Sequence, residues 1–174
     1  IGDGIVLAEI QQNSNVTYRV YDYNRKDARG NFRPLHIEKA MQVIDFDTRV
    51  KYPYEGLEYE NSDKASLKIL VANKYFCVEL YKISGSIKQN TGYRKFHAYV
   101  CTEGRGKIGY GKENVSLDTG ETVLIPPVIG EYFIEGELTL LKTYVPDLDV
   151  DIYQKLINIG FSKQEITEKI AGIV

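Results

Sequence analysis

Nitrogen and sulfur ligands are scarce in this chain. Its 174 residues include two histidines, His36 and His97, and two cysteines, Cys77 and Cys101, at separations unlike any standard zinc spacing. Nothing resembles a secretory apolar segment, so both thiols are expected to be reduced, in a cytoplasmic setting. His36 reads as a helix-terminal or loop hydrogen-bonding group and His97 as a structural or surface imidazole. Gly104-Arg105-Gly106-Lys107-Ile108-Gly109 matches G-x-G-x-x-G letter for letter, and Gly106 to Lys112 reads GxxxxGK. No helix is expected after the first pattern to meet a pyrophosphate, and Glu113 stands where the second needs a Mg²⁺-binding hydroxyl. A Gly-rich hairpin is the reading for both. Arg19 differs in kind. Thr17 and Tyr21 share its strand face, and an Arg among aromatics can clamp a phosphate or an enediolate oxygen. The competing role is an ion pair with Asp22 or Glu9.

The elements that would position these groups are mainly strands. Ile, Val and Thr number 18, 14 and 9 against only 7 Ala, a β-rich balance. Lys plus Arg number 22 against 24 Asp plus Glu, so no strong field gathers nucleic acid or an anionic membrane surface. No apolar run reaches the ~18 residues of a membrane span. Ile5–Gln11 and Val16–Tyr23 are expected to be strands of a hairpin turning at Asn13-Ser14-Asn15. Apolar pairs Ile37/Met41 and Ala40/Ile44 predict a short helix over His36–Ile44. From Leu67, strand candidates recur at Leu67–Val71, Lys74–Ile83, Lys95–Thr102, Lys107–Tyr110, Glu121–Ile125, Tyr132–Glu135 and Leu138–Tyr144, with a further strand leading to Gly120. Short strands divided by Gly-containing turns suit a small antiparallel barrel or sandwich. Beyond Pro146 the period becomes helical (Ile152/Leu156, Tyr153/Ile157, Ile166/Ile170), and Ser162 with Glu165 forms a capping-box pattern.

The second half resembles a worn cupin, a small jelly-roll barrel with two metal motifs. His97 and Glu103 occupy a His and the Glu position of the first motif, with Tyr99 in place of its second His. Gly120 and Pro126 keep the spacing of the second motif, yet no His follows Gly130. Two of four ligands are missing, so this barrel is expected to hold no metal. The run Leu7 to Asn15, Thr17-Tyr18-Arg19-Val20-Tyr21-Asp22-Tyr23, then Arg25, Asp27, Gly30, Arg33, Leu35-His36 and Lys39-Ala40 resembles the short bacterial type of mannose-6-phosphate isomerase, a zinc-dependent double-cupin family.

That resemblance implies a mainly β, cupin-like jelly-roll fold with a partial first barrel, a short helix, a degenerate second barrel and a helical tail. The expected divisions are 1–44, the end of the first, catalytic cupin region; 45–66, a linker or crossover; 67–145, the second, metal-free barrel; and 146–174, the tail. It also implies exchange of mannose 6-phosphate and fructose 6-phosphate through an enediolate, with Arg19 as the active-site residue and a phosphorylated sugar as partner. Glu9 is a candidate for substrate contact only by its place on the neighbouring strand. The family's zinc ligands lie upstream of Ile1, so the chain alone is expected to be inactive, to carry no zinc, and to self-associate or pair with the missing N-terminal half. The alternative is a non-catalytic cupin module that binds a sugar or a partner.

Overall fold

A computed structural model describes residues 3–47 and 54–173. The chain forms two compact units, Gln12–Tyr52 and Ile1–Gln11 with Pro53–Val174. Among the described residues the larger carries seven strands: β1 (Leu57–Asn61), β2 (Ala65–Ala72), β3 (Cys77–Asn90), β4 (His97–Tyr110), β5 (Glu113–Asp118), β6 (Thr122–Ile125) and β7 (Glu131–Tyr144). They form one antiparallel sheet in the order β1-β2-β3-β7-β4-β5, with β6 on the first half of β4. Period-two alternation dictates which side chains go inward. In β7, Tyr132, Ile134, Leu138, Leu140, Lys142 and Tyr144 are buried, while Glu131, Phe133, Glu135 and Glu137 face water. Residues from β2 and from β5, far apart in the strand order, meet in one core with Tyr81, Tyr99, Ile134 and Leu140. The sheet therefore curls on itself into a jelly-roll barrel.

Three strands run for 14 residues each, joining the expected pairs Lys95–Thr102 with Lys107–Tyr110 and Tyr132–Glu135 with Leu138–Tyr144. Glycine makes this continuity possible. Gly85, Gly136 and Gly106 stand side by side on β3, β7 and β4. A Cβ at Gly136 would lie 2.5 Å from the Arg105 carbonyl oxygen, and one at Gly106 would lie 2.4 Å from that of Glu135. The strands cross the bend at a separation that only glycine permits. The G-x-G-x-x-G run thus lies within β4, as a glycine-rich hairpin arm.

Two expectations are corrected. Ile5–Gln11 and Val16–Tyr23 carry no strand; the only pairing among described residues 3–47 is an isolated bridge between Lys26 and Phe32. Alternation marks which side chains could be buried, but a strand also needs a partner backbone, and Val6 is 95% and Val16 74% exposed. The 45–66 segment is not irregular throughout, since β1 lies inside it and pairs with β2; residues 48–53 lie outside the described ones. Helix α1 (Ile37–Val43) forms where expected but buries only Ala40, leaving Ile37, Met41 and Ile44 exposed.

Beyond Pro146, Leu148–Gln154 is wound as a π-helix that runs into α2 (Lys155–Asn158), and α3 (Lys163–Lys169) follows. Asp147 caps the first by accepting from Asp149 and Val150 N–H, and the Ser162–Glu165 capping box forms as its spacing predicts. Ile152, Leu156, Ile166 and Ile170 are fully buried against Leu57, Ile69, Ala72, Cys77 and Tyr144. Tyr153 packs half-buried at the edge of this seam, and Ile157 is exposed. Backbone bonds from Gly56 to Lys169, from Ala72 to Ala171 and from Ala171 to Leu70 fasten the tail to the sheet. The tail thus packs as part of the larger unit. Both cysteines are free and buried, Cys77 under the tail and Cys101 in the barrel core. No described helix is long and apolar enough to cross a membrane.

Candidate functional site

Arg19 sits in a knot of charges built by the smaller unit. Its backbone N–H donates to His36 Nδ1 at 3.1 Å, and its carbonyl accepts from the His36 N–H at 2.7 Å. This locks the Arg19 segment to the start of α1 and gives His36 the loop-bonding role expected of it. The Arg19 guanidinium donates from Nη1 to the Pro34 carbonyl at 3.2 Å, and its Nε lies 3.8 Å from Asp22 Oδ1. Asp22 is buried, although Arg25 and Arg33 bind it much more closely, Arg25 at 2.8 Å and Arg33 through both Nε and Nη2. Hydrogen bonding to Arg33, then Arg25, holds the Asp22 carboxyl down at about 2. Three guanidiniums share one carboxylate, so the knot keeps a positive excess that suits an anionic ligand. Glu9 is exposed.

A second assembly of charged groups lies in the barrel. Glu79 and Lys142 are cross-strand partners in the β3–β7 register and both point inward. The carboxylate, 1% exposed, lies 3.6 Å from Lys142 Nζ and 3.9 Å from Lys155 Nζ. It accepts hydroxyl hydrogen bonds from Tyr59 at 3.1 Å, Tyr81 at 2.8 Å and Tyr144 at 2.9 Å. Burial pushes the Glu79 carboxyl up, but the two ammoniums and the Tyr81 and Tyr144 hydroxyls outweigh it and hold the group at about 2. Lys142, lowered by burial and supported by Glu79, donates to Tyr81 Oη at 3.1 Å and Gln89 Oε1 at 3.2 Å. These groups floor a cavity of about 380 Å³ whose rim carries Arg94, Lys155 and the Lys95–Asp151 ion pair.

The two cupin-motif residues do not converge. His97 is buried and its Nδ1 meets Tyr132 Oη at 2.6 Å, which in turn meets Tyr99 Oη at 2.7 Å. Burial, then Lys142, drives the imidazole down to about 3, so it stays neutral. Glu103 lies beyond the β4 irregularity between Cys101 and Glu103 and faces solvent. A phenol fills the second-His position, and the other candidate ligand points away, so this donor set does not fit zinc. Among the described residues, no group of three or more His, Cys, Asp or Glu side chains is placed to share an ion.

The Glu79–Lys142 pair escaped sequence reasoning, although its signal is present. Cys77, Glu79 and Tyr81, like Leu140, Lys142 and Tyr144, share one strand parity, so a charge occurs in the inward phase of each strand. Either charge alone reads as a surface residue; only the register shows that they face each other.

The curled sheet with its degenerate motif positions defines the class: this is a cupin-fold chain. Residues 66–145 match the family described as mannose-6-phosphate isomerase, cupin domain, and resemblance to mannose-6-phosphate isomerases extends over most of the chain. The chain is 32% identical over 144 residues to mannose-6-phosphate isomerase of Streptococcus mutans, covering 83% of this chain and 44% of that protein. Against mannose-6-phosphate isomerase ManA of Bacillus subtilis, identity is 35% over 138 residues, 78% of this chain and 42% of that one. The crystal structure of the mannose 6-phosphate isomerase from Bacillus subtilis aligns with a TM-score of 0.61 at 30% identity, covering 76% of this chain and 41% of that one. The chain thus spans less than half the length of the curated relatives it matches.

Proposed function

We propose that this chain is part of a cytoplasmic mannose-6-phosphate isomerase that interconverts mannose 6-phosphate and fructose 6-phosphate through an enediolate. The observation that carries the reading is its 32% and 35% identity, over most of its length, to two proteins of that name. In the aldose-to-ketose direction a base removes the C2 proton of the open-chain sugar, and the C–H electrons form the C1–C2 double bond as the C1 carbonyl π electrons move onto O1. The O2 hydroxyl proton passes to O1, and as the C2 carbonyl forms the double-bond electrons take back a proton at C1. Arg19 is the residue assigned to steady the negative oxygen of that intermediate or to hold the substrate. Its fixing by Pro34 and Asp22, inside a knot of net positive charge, suits either task. Zinc is read as the cofactor of the complete enzyme, where it would polarise the sugar oxygens; the donors in this barrel do not fit it, so its ligands are assigned outside these 174 residues. The exposed apolar side chains of Ile5, Val6 and Leu7 are then covered by the rest of the enzyme or by a second copy.

The test is metal analysis after dialysis beside a coupled assay for fructose 6-phosphate. The 174-residue chain should hold no stoichiometric zinc and give no turnover, whereas the complete enzyme containing it should turn over. Turnover by the chain alone would remove the claim that the metal-binding half lies elsewhere. An inactive complete enzyme would favour a non-catalytic sugar-binding module.

A further inference from the structure

The cavity at the barrel end is a built site that the isomerase reading does not use. Its floor is rigid: Glu79 is saturated by two ammoniums and three hydroxyls, and Lys142 by Glu79, Tyr81 and Gln89. Buried ion pairs contribute little net stability compared with a packed apolar core, and a barrel stabilised by packing alone would fill this space. The volume of about 380 Å³ falls within the ~300–1,000 Å³ of small-molecule sites.

The charge pattern of the rim identifies the ligand chemistry. Asp151 is committed to Lys95 and to the Asp147 N–H, and Glu79 is enclosed by its own donors. Arg94 is exposed at the rim, and Lys155 is 38% exposed, 3.9 Å from Glu79 and over the Tyr59 ring at 3.6 Å. The rim therefore presents two cations, Arg94 and Lys155, against one exposed carboxylate, Glu60, above a floor where Gln89, its Oε1 taken by Tyr81 and Lys142 and one amide N–H by the Lys88 carbonyl, has a second amide N–H to offer a polyol. We infer that this cavity binds a small polyhydroxylated anion, a monosaccharide bearing one phosphate or carboxylate, with Arg94 and Lys155 holding the anionic group and Gln89 the hydroxyls. Lys155 and Asp151 belong to the tail, so a bound ligand bridges tail and barrel.

Titration calorimetry of the full chain with mannose 6-phosphate, mannose and inorganic phosphate tests this. Mannose 6-phosphate should bind saturably and more tightly than either fragment. Arg94→Ala and Lys155→Met should each weaken it by roughly tenfold or more, as loss of a charged hydrogen bond does, and thermal melts confirm that these rim variants fold. The same losses should be read in an Arg19→Ala background, which removes any binding at the charge knot. Loss with Arg19→Ala but not with the rim variants would place the ligand at the charge knot and overturn the inference. Absence of saturable binding, or phosphate binding as tightly as the sugar phosphate, would also overturn it.

Discussion

Arg19 and His97 pose opposite problems at the residue scale. If Arg19 contacts the reacting oxygens, Arg19→Ala in the complete enzyme should lower kcat by about 10²-fold or more, the usual loss for a transition-state donor. Its stability cost should stay below about 1 kcal/mol, because the Asp22 contact is long and Arg25 and Arg33 still satisfy that carboxylate. Unchanged kcat with a lowered melting temperature would leave only a packing role. His97 should reveal itself through pH. Its folded value, near 3 against 6.5, means that the unfolded chain binds a proton the folded one refuses. Stability is therefore full above pH 6.5 and falls as pH drops toward 3, with a slope of up to about 1.4 kcal/mol per unit. Glu79, held near 2 against 4.5, adds a loss of the same sign, but only below about 4.5. Urea titrations at several pH values should show His97→Gln flattening the 4.5–6.5 stretch and leaving below 4.5 only the shallower loss due to carboxylates such as Glu79. An unaltered slope in that stretch would contradict the neutral buried imidazole.

Glycine positions separate the elements by what their backbones must do. Gly136→Ala should destabilise by on the order of 1–3 kcal/mol or more, since its φ is +145° and the new methyl would meet the Arg105 carbonyl. Gly109→Ala, in the same glycine-rich run as Gly106, has only a Glu113 oxygen at 3.8 Å to meet and should be nearly neutral. Equal effects in chemical denaturation would refute the account of the bend. The short motif was legible as a hairpin because a phosphate loop needs a helix after it, whereas the crossing with β7 was not, since Gly136 lies 30 residues from Gly106. Likewise, Ser162 and Glu165 announce α3 from three residues apart, and Tyr132 to Tyr144 announce an inward face. Residues 5–23 carry equally good alternation and form no strand, because pairing depends on a backbone the local sequence does not specify. The Glu79–Lys142 contact was hidden for the same reason.

At the scale of the molecule, the two units carry most of their apolar exposure in the first 47 residues, from Val6 and Leu7 to Val16, Tyr21 and Phe46. Sedimentation velocity over a wide concentration range should show the chain self-associating, and Val6→Lys with Val16→Lys should reduce it; a monomer throughout would count against that surface being sticky. The larger unit divides its interior differently, into a barrel core and a seam under the tail, with one cysteine in each. This placement makes the wild-type chain its own kinetic gauge of local opening. A thiol reagent cannot reach either sulfur in the closed state, and Cys77, its thiol pushed up to about 12 chiefly by burial, reacts only after exposure. If the tail lifts as a separate unit, Cys77 is modified first and Ile166→Ala speeds that reaction without touching Cys101. If the seam and barrel open together, both sulfurs report a single rate, and the helices past Pro146 are as integral to the sheet as its own strands.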